Sequence, residues 1–396
     1  MVKNIPRKDL KIFFREENKV KVRARDLGIT FDGICGENNA ITDVDGVEVG
    51  YTTIIRGEAS ADTVPEDDFA RTGVTAILPR GKRRSAVFAG RHDLNGNGEL
   101  TGTHWIDDSG FLHGPIMITN THSVGVVREA ASKWMIKNGY FYPLIKEGEE
   151  IPGLAFFYPV VGETFDGVLN NINGFKIKEE HAVEALENAH TGPIAEGNVG
   201  GGTGMRCHGF KGGTGTASRV INDIDGREYK VGVLVQANHG TKEELRIKGI
   251  PFGEEIKGYD AELPGFAPKP GDGSIIVIIA TDAPMMPWQL SKLCKRVPLG
   301  IGNLGGGCQN GSGDIFLAFS TANENAFSKD TVKVDMLSDE QIDPFYKAVV
   351  QAVEEAILNA MISAETMTGR NLNKFYAIPH DQIKNILKKY EILFHK

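Results

Sequence analysis

The stretch ITDVDGVEVGYTTIIR, residues 41–56, alternates apolar and polar positions around Asp45-Gly46, which predicts a β-hairpin. Short apolar runs follow at VTAILP (74–79), SAVFAG (85–90) and PIMITNT (115–121), each the length of a buried strand. The period then changes. SVGVVREAASKWMIKNG carries apolar residues at helical spacing and ends on glycine, predicting a helix over 123–138. LAFFYPVVGET (154–164) reads as strand and 181–190 as a short amphipathic helix. YKVGVLVQAN (229–238), SIIVIIAT (274–281) and GDIFLAFST (313–321) are further strands, and the β-branched run from 274 has the character of a central one. Helices are predicted over 287–297, 339–364 and 380–390. Residues 249–273 are dense in Pro, Gly and Asp and read as a long, mobile loop. Interleaved strands and helices, with hairpins among them, point to an α/β layered fold with mixed sheets. No internal repeat is visible.

Composition narrows the class. With 396 residues, 41% hydrophobic and 24% charged, the chain can bury a large core, as one unit or as two domains. A net charge of -8, without a long Lys/Arg run, argues against nucleic acid as a partner. No apolar stretch has the length of a membrane span. The amino terminus has only Ile12, Phe13 and Phe14 apolar in a row, so no secretory core is evident and a cytoplasmic location is expected. Cys35, Cys207, Cys294 and Cys308 form no CxxC pair, and the expectation is reduced thiols with no metal or organic cofactor.

Three apparent motifs fail on inspection. Asp93–Gly98 matches the first half of a calcium loop, but its twelfth position is His104 rather than a bidentate Glu. The glycine cluster from Gly197 to Gly215 lacks GxxxxGK[ST] and does not follow a strand as a GxGxxG loop does, so it is read as close backbone approach around a site. His122, His208 and His239 form no HExxH pair and read as polar loop residues.

With neither a metal nor a histidine base in view, the sharpest chemical feature is PKPGDG followed by SIIVIIATDAP. A loop runs straight into an apolar strand whose first residue is Ser274. The Ser274 hydroxyl can attack the unhindered carbonyl of Gly273, and glycine also permits unusual backbone angles there. An N-to-O acyl shift and hydrolysis then free a new amino terminus. Its amine, with an ordinary pKa of about 8, can act as base for its own hydroxyl. Taken alone, Gly-Ser fits a plain turn before a strand equally well.

Longer matches add to this. The chain resembles the DmpA-type family of self-processing aminopeptidases, which includes L-aminopeptidase/D-esterases and β-peptidyl aminopeptidases. The likeness runs from about residue 26 to 378, through ITDVDGVEVG, RTGVTAILPR, LNGNGELTG, GPIMITNTHSVG, FKGGTGTASR, VGVLVQANHG, GSIIVIIATDAP and NGSGDIFLAFSTAN. The resemblance implies an αββα-type sandwich, shared with ornithine acetyltransferases, as one unit cut into 1–273 and 274–396. It makes Ser274 the nucleophile and Gly273–Ser274 the bond cut. It places the second serine at Ser312 and an acid at Asp314, where some members carry Glu. Asn238 takes the oxyanion position, and Glu163 binds the substrate amine. Some members have Tyr where this chain has Phe165, so a phenol hydrogen bond is absent and Phe165 is left to wall the pocket. Lys211 is a weaker candidate for the surroundings. The implied reaction is release of small amino-terminal residues from peptides, amides or esters through an acyl-enzyme. The implied assembly is a homo-oligomer of the processed αβ heterodimer. An acyltransferase of the ornithine-acetyltransferase type and an uncleaved, non-catalytic homologue remain as alternatives.

Overall fold

The computed structural model describes residues 21–140, 156–269, 271–307 and 309–390. The amino-terminal stretch, Cys308 and positions 154–155 of an expected strand lie outside the described residues. Two sheets face each other. The first has four strands in the order β1 (Glu48–Arg56), β2 (Ala70–Lys82), β5 (Ile116–Asn120), β6 (Val160–Thr164). The second has six, in the order β4 (Phe111–Leu112), β3 (Val87–Gly96), β12 (Ser312–Ser320), β11 (Gly273–Thr281), β10 (Glu228–Asn238), β9 (Gly213–Asn222). Between β6 and β9 lies a small hairpin, β7 (Arg206–Cys207) with β8 (Phe210–Lys211).

The side-chain period of two explains the layers. On β11, Ile276, Ile278 and Ala280 join Val49, Ile77, Ile118 and Val160 of the first sheet in an inter-sheet core. The alternate residues Ile275, Val277 and Ile279 face the other way, onto α5 (Pro287–Cys294), α6 (Val297–Asn303) and α7 (Asp343–Ile362). The outer face of the first sheet, with Val74, Ala76 and Met117, is covered by α2 (Val124–Lys137) and α3 (Glu179–Glu187). Helix, sheet, sheet and helix therefore stack as the expected αββα sandwich with mixed sheets: β10 pairs β11 antiparallel, and β11 pairs β12 parallel.

Three local expectations change. The hairpin over 41–56 does not form. Residues 41–43 make a tight helical turn, because the Asp43 carboxylate captures the Asn38 and Ala40 N–H groups at 2.9 and 3.1 Å and draws the chain off the ladder. The strand Glu48–Arg56 pairs forward with β2 instead. The helix over 287–297 is two helices, with Pro298 in the first turn of the second, where its missing N–H costs nothing. The described residues of 249–273 are anchored rather than loose: α4 (Phe252–Glu255) buries Phe252, and Asn373 Nδ2 holds the Phe266 carbonyl at 3.0 Å. The glycine cluster makes the close backbone approaches expected of it. A side chain on Gly215 would come within 2.0 Å of the Ala356 carbonyl, so glycine lets α7 lie directly on β9.

Candidate active site

The antiparallel register of β10 and β11 sets Asn238 opposite Ser274, at the ends of their strands. Asn238 Nδ2 lies 3.4 Å from Ser274 Oγ and donates to the Phe165 carbonyl at 3.0 Å. Asn238 Oδ1 accepts from the Arg206 N–H at 3.0 Å. These partners fix which end of the amide is nitrogen, since an N–H must meet an acceptor and a carbonyl must meet a donor. Ser274 is only 3% exposed.

Arg206 does a second thing. Its guanidinium Nη2 donates to the Asp272 carbonyl at 2.6 Å, so one residue holds both the Asn238 amide and the chain entering Gly273. Gly273 is not among the residues with positive φ, and no unusual backbone is needed there. Glycine is required for space: a Cβ would meet the Asn238 carbonyl at 2.9 Å and His239 Cα at 3.0 Å.

Ser312 and Asp314 start β12. Ser312 Oγ donates to Asp314 Oδ1 at 2.7 Å, and Asp314 Oδ2 is buried with no partner among the described residues. Burial raises the Asp314 carboxyl above its usual range, against the opposing Ser312 hydrogen bond. In the parallel ladder Ser312 is level with Gly273 and Gly313 with Ser274. The pair therefore stands beside the Gly273–Ser274 peptide, while alternation along the strand turns it away from the face that carries the Ser274 hydroxyl.

Glu163 sits on β6, buried. Its carboxylate accepts from the Glu99 N–H at 3.1 Å and from the Thr121 hydroxyl. A Cβ on Gly98 would lie 3.2 Å from Glu163 Oε1 and 3.6 Å from Gly313 Cα, which brings the acid to the start of β12, next to the ladder partner of Ser274. Burial raises the Glu163 carboxyl, opposed by those two hydrogen bonds. Phe165 is 41% exposed, as a pocket wall would be. Lys211 is buried opposite Arg206 in the β7–β8 hairpin, its Nζ on the Gly212 carbonyl at 2.8 Å.

Besides Arg206, two contributors escaped the sequence reading. Asn95 Nδ2 donates to the carbonyls of Ser312 and, at 2.8 Å, Asn310; Asn97 Nδ2 reaches the Gly311 carbonyl at 2.7 Å. The stretch resembling half a calcium loop is thus the clamp on NGSGD. A bulge between β3 and β12, where Asp314 pairs Asn95 but Ile315 pairs Asp93, aims that clamp.

These features can be set against known proteins. Residues 39–375 match peptidase family S58. Beta-peptidyl aminopeptidase BapA of Sphingosinicella microcystinivorans is 51% identical over 383 residues, covering 94% of this chain and 93% of that protein. The chain belongs to peptidase family S58. Among solved structures, the L-aminopeptidase D-Ala-esterase/amidase of Ochrobactrum anthropi superposes with a TM-score of 0.84 at 46% identity, covering 94% of this chain and 99% of that one. It is described as a prototype for the serine aminopeptidases and a new variant of the Ntn hydrolase fold. A Burkholderia beta-aminopeptidase superposes at 0.79 with 41% identity, covering 93% and 99%. The S58 chain is thus an aminopeptidase-family hydrolase, and its αββα sandwich is the Ntn-hydrolase-like fold of those neighbours.

The S58 site also holds a buried acid with no evident chemistry. Asp166 Oδ2 accepts from Asn120 Nδ2 at 3.1 Å and Asn170 Nδ2 at 3.0 Å, and burial pushes its carboxyl up to about 7. The unfolded chain ionises this group near its usual value of about 3.9. A raised native pKa means that the folded state holds the proton longer, so stability falls as pH rises between those values. Asp166→Asn should flatten the pH dependence of Tm between about 4 and 7, by up to roughly 4 kcal/mol in ΔG across the window. Thermal melts of both proteins at each pH read this directly. Parallel slopes would show that Asp166 is not the responsible group.

Proposed function

We propose that the chain is a self-processing serine aminopeptidase that cuts its own Gly273–Ser274 bond and then uses Ser274 as nucleophile. The observation that carries this is the approach of Asn238 Nδ2 to Ser274 Oγ at 3.4 Å, at the first turnable side chain of a rigid strand. Ser274 Oγ attacks the Gly273 carbonyl, the C–N bond breaks with the proton passing to nitrogen, and water hydrolyses the ester. Asn238 supplies an N–H to the oxygen that becomes negative.

Ser312 and Asp314 are assigned to the amine rather than to the hydroxyl. The freed amine would arise beside Ser312, and the unpartnered Asp314 Oδ2 would accept from its ammonium. The chain in this reading works as fragments 1–273 and 274–396, assembled into a homo-oligomer of that heterodimer. Mass spectrometry tests the cut: a lone 43.1 kDa species after prolonged incubation would end the reading. Nitroanilides of Gly, L-Ala, D-Ala, β-Ala and L-Leu test the substrate class. The beta-peptidyl relatives make β-Ala the first to try.

Glu163 would pair with the substrate ammonium. Glu163→Gln should raise KM roughly 10- to 100-fold, the range of one charge-assisted hydrogen bond, with kcat little changed. Because burial raises this carboxyl, KM of the parent should begin to climb, as pH falls, above the ordinary glutamate range. The variant should lose that limb. A KM profile that keeps it in Glu163→Gln would assign amine binding elsewhere.

A further inference from the structure

We propose that Cys207, His208 and His239 form a binding site for a divalent transition-metal ion of the zinc class, directly behind the Asn238 amide. The three side chains come from two segments, the β7–β8 hairpin and the residue after β10, joined by the His208 N–H on the His239 carbonyl at 2.8 Å. One donor atom from each, all three within 4.8 Å of one another, gives a sulfur and two imidazole nitrogens. Cys207 Sγ stands 3.9 Å from His239 Nδ1, and the two imidazole rings meet edge to face at 5.2 Å. All three residues are buried.

Two details point to a ligand rather than to plain packing. His208 Nδ1 lies 3.2 Å from the Thr241 carbonyl, which places its proton there and leaves Nε2 as a lone-pair donor. That Nε2 is buried and has no hydrogen-bond partner among the described residues, a state that costs about 1–3 kcal/mol unless something ligates it. The ring also has a fitted seat: Gly240 adopts φ +76°, and a Cβ there would strike His208 Cε1 and Nδ1 at 2.5 Å. Around a tetrahedral zinc, with Zn–N about 2.0–2.1 Å and Zn–S about 2.3 Å, donors stand roughly 3.3–3.6 Å apart, so modest side-chain rotation closes the set. Thiolate with imidazole selects zinc-like ions over magnesium or calcium, which prefer oxygen. Binding releases the Cys207 proton to solvent and leaves a fourth position for water.

The expectation of no metal rested on spacing within the sequence, and this set is assembled by the fold. Arg206 and Asn238 immediately precede two of the ligands. A bound ion would tie together the two segments whose hydrogen bond orients the Asn238 amide.

Because the site is closed, the ion must be present during folding. The full chain is therefore expressed in minimal medium supplemented with zinc or cobalt, exchanged into chelator-containing buffer, and its metal content measured. The expected result is about one ion per chain, with a thiolate-to-cobalt charge-transfer band that Cys207→Ser abolishes and a content at least about tenfold lower in His208→Gln. Fewer than about 0.1 ions per chain in both media, or equal content in the parent and Cys207→Ser, overturns the proposal. If neither variant is soluble, the parent's cobalt spectrum decides: a thiolate band supports the site, and its absence overturns it.

Discussion

Ser274→Ala is expected to remain one chain of 43.1 kDa and to show no aminopeptidase turnover, under conditions where the parent separates into fragments 1–273 and 274–396. The loss should be on the order of 10⁶-fold, the scale seen when the nucleophile of a catalytic unit is removed. Unfolding would not explain it. Ser274 makes its ladder bonds through the backbone, and the hydroxyl it loses has one partner among the described residues, Asn238, at 3.4 Å. Deleting such a hydroxyl costs about 1 kcal/mol, a small part of a fold with this inter-sheet core. Ser274→Cys separates chemistry from geometry, because a thiol at the same position is a competent nucleophile and should still cleave. The readouts are mass spectrometry and nitroanilide turnover on one preparation. Fragments ending at Gly273 from the alanine variant would mean that an outside protease makes the cut.

The strands that carry the site were legible because each is a continuous apolar run bounded by polar residues. The expected 229–238, 274–281 and 313–321 lie within a residue of β10, β11 and β12. Patterns failed where a side chain competes with the backbone, as Asp43 does at the supposed hairpin, or where proline interrupts one apolar period, as Pro298 does. Pairing was not legible at all. Nothing in VGVLVQAN indicates that its last residue will face Ser274, since register is decided by which faces the two sheets bury. For the same reason the Asn95 and Asn97 clamp looked like half a calcium loop, and Cys207 and His239 looked unrelated. The family resemblance supplied those site residues that local pattern could not, but it says nothing of how Arg206 bridges Asn238 and Asp272.

That bridge makes the Asn238 amide the second position with a large expected effect. Asn238→Ala should lower kcat by 10²- to 10³-fold, about 2.7–4 kcal/mol, with KM within a few-fold of the parent. Self-cleavage should slow in proportion, because in the proposed reaction the same N–H would face the oxygen of either tetrahedral intermediate. The amide is pre-oriented: Oδ1 is held by the Arg206 N–H at 3.0 Å, so Nδ2 cannot trade places with it without leaving two backbone groups mismatched. Alanine also strands the Arg206 N–H and the Phe165 carbonyl, so part of any loss could be structural. Asn238→Asp narrows that difference to the donor side, because it keeps the acceptor for the Arg206 N–H and loses only the N–H that reaches the Phe165 carbonyl and Ser274 Oγ. Its carboxylate still accepts from Arg206 N–H, yet offers no donor and sets a negative charge where negative charge develops. Activity should therefore fall at least as far as in the alanine variant. Equal kcat in the parent and Asn238→Asp, measured on chains already cut at Gly273, would remove Asn238 from the reaction and leave it a strand-end cap.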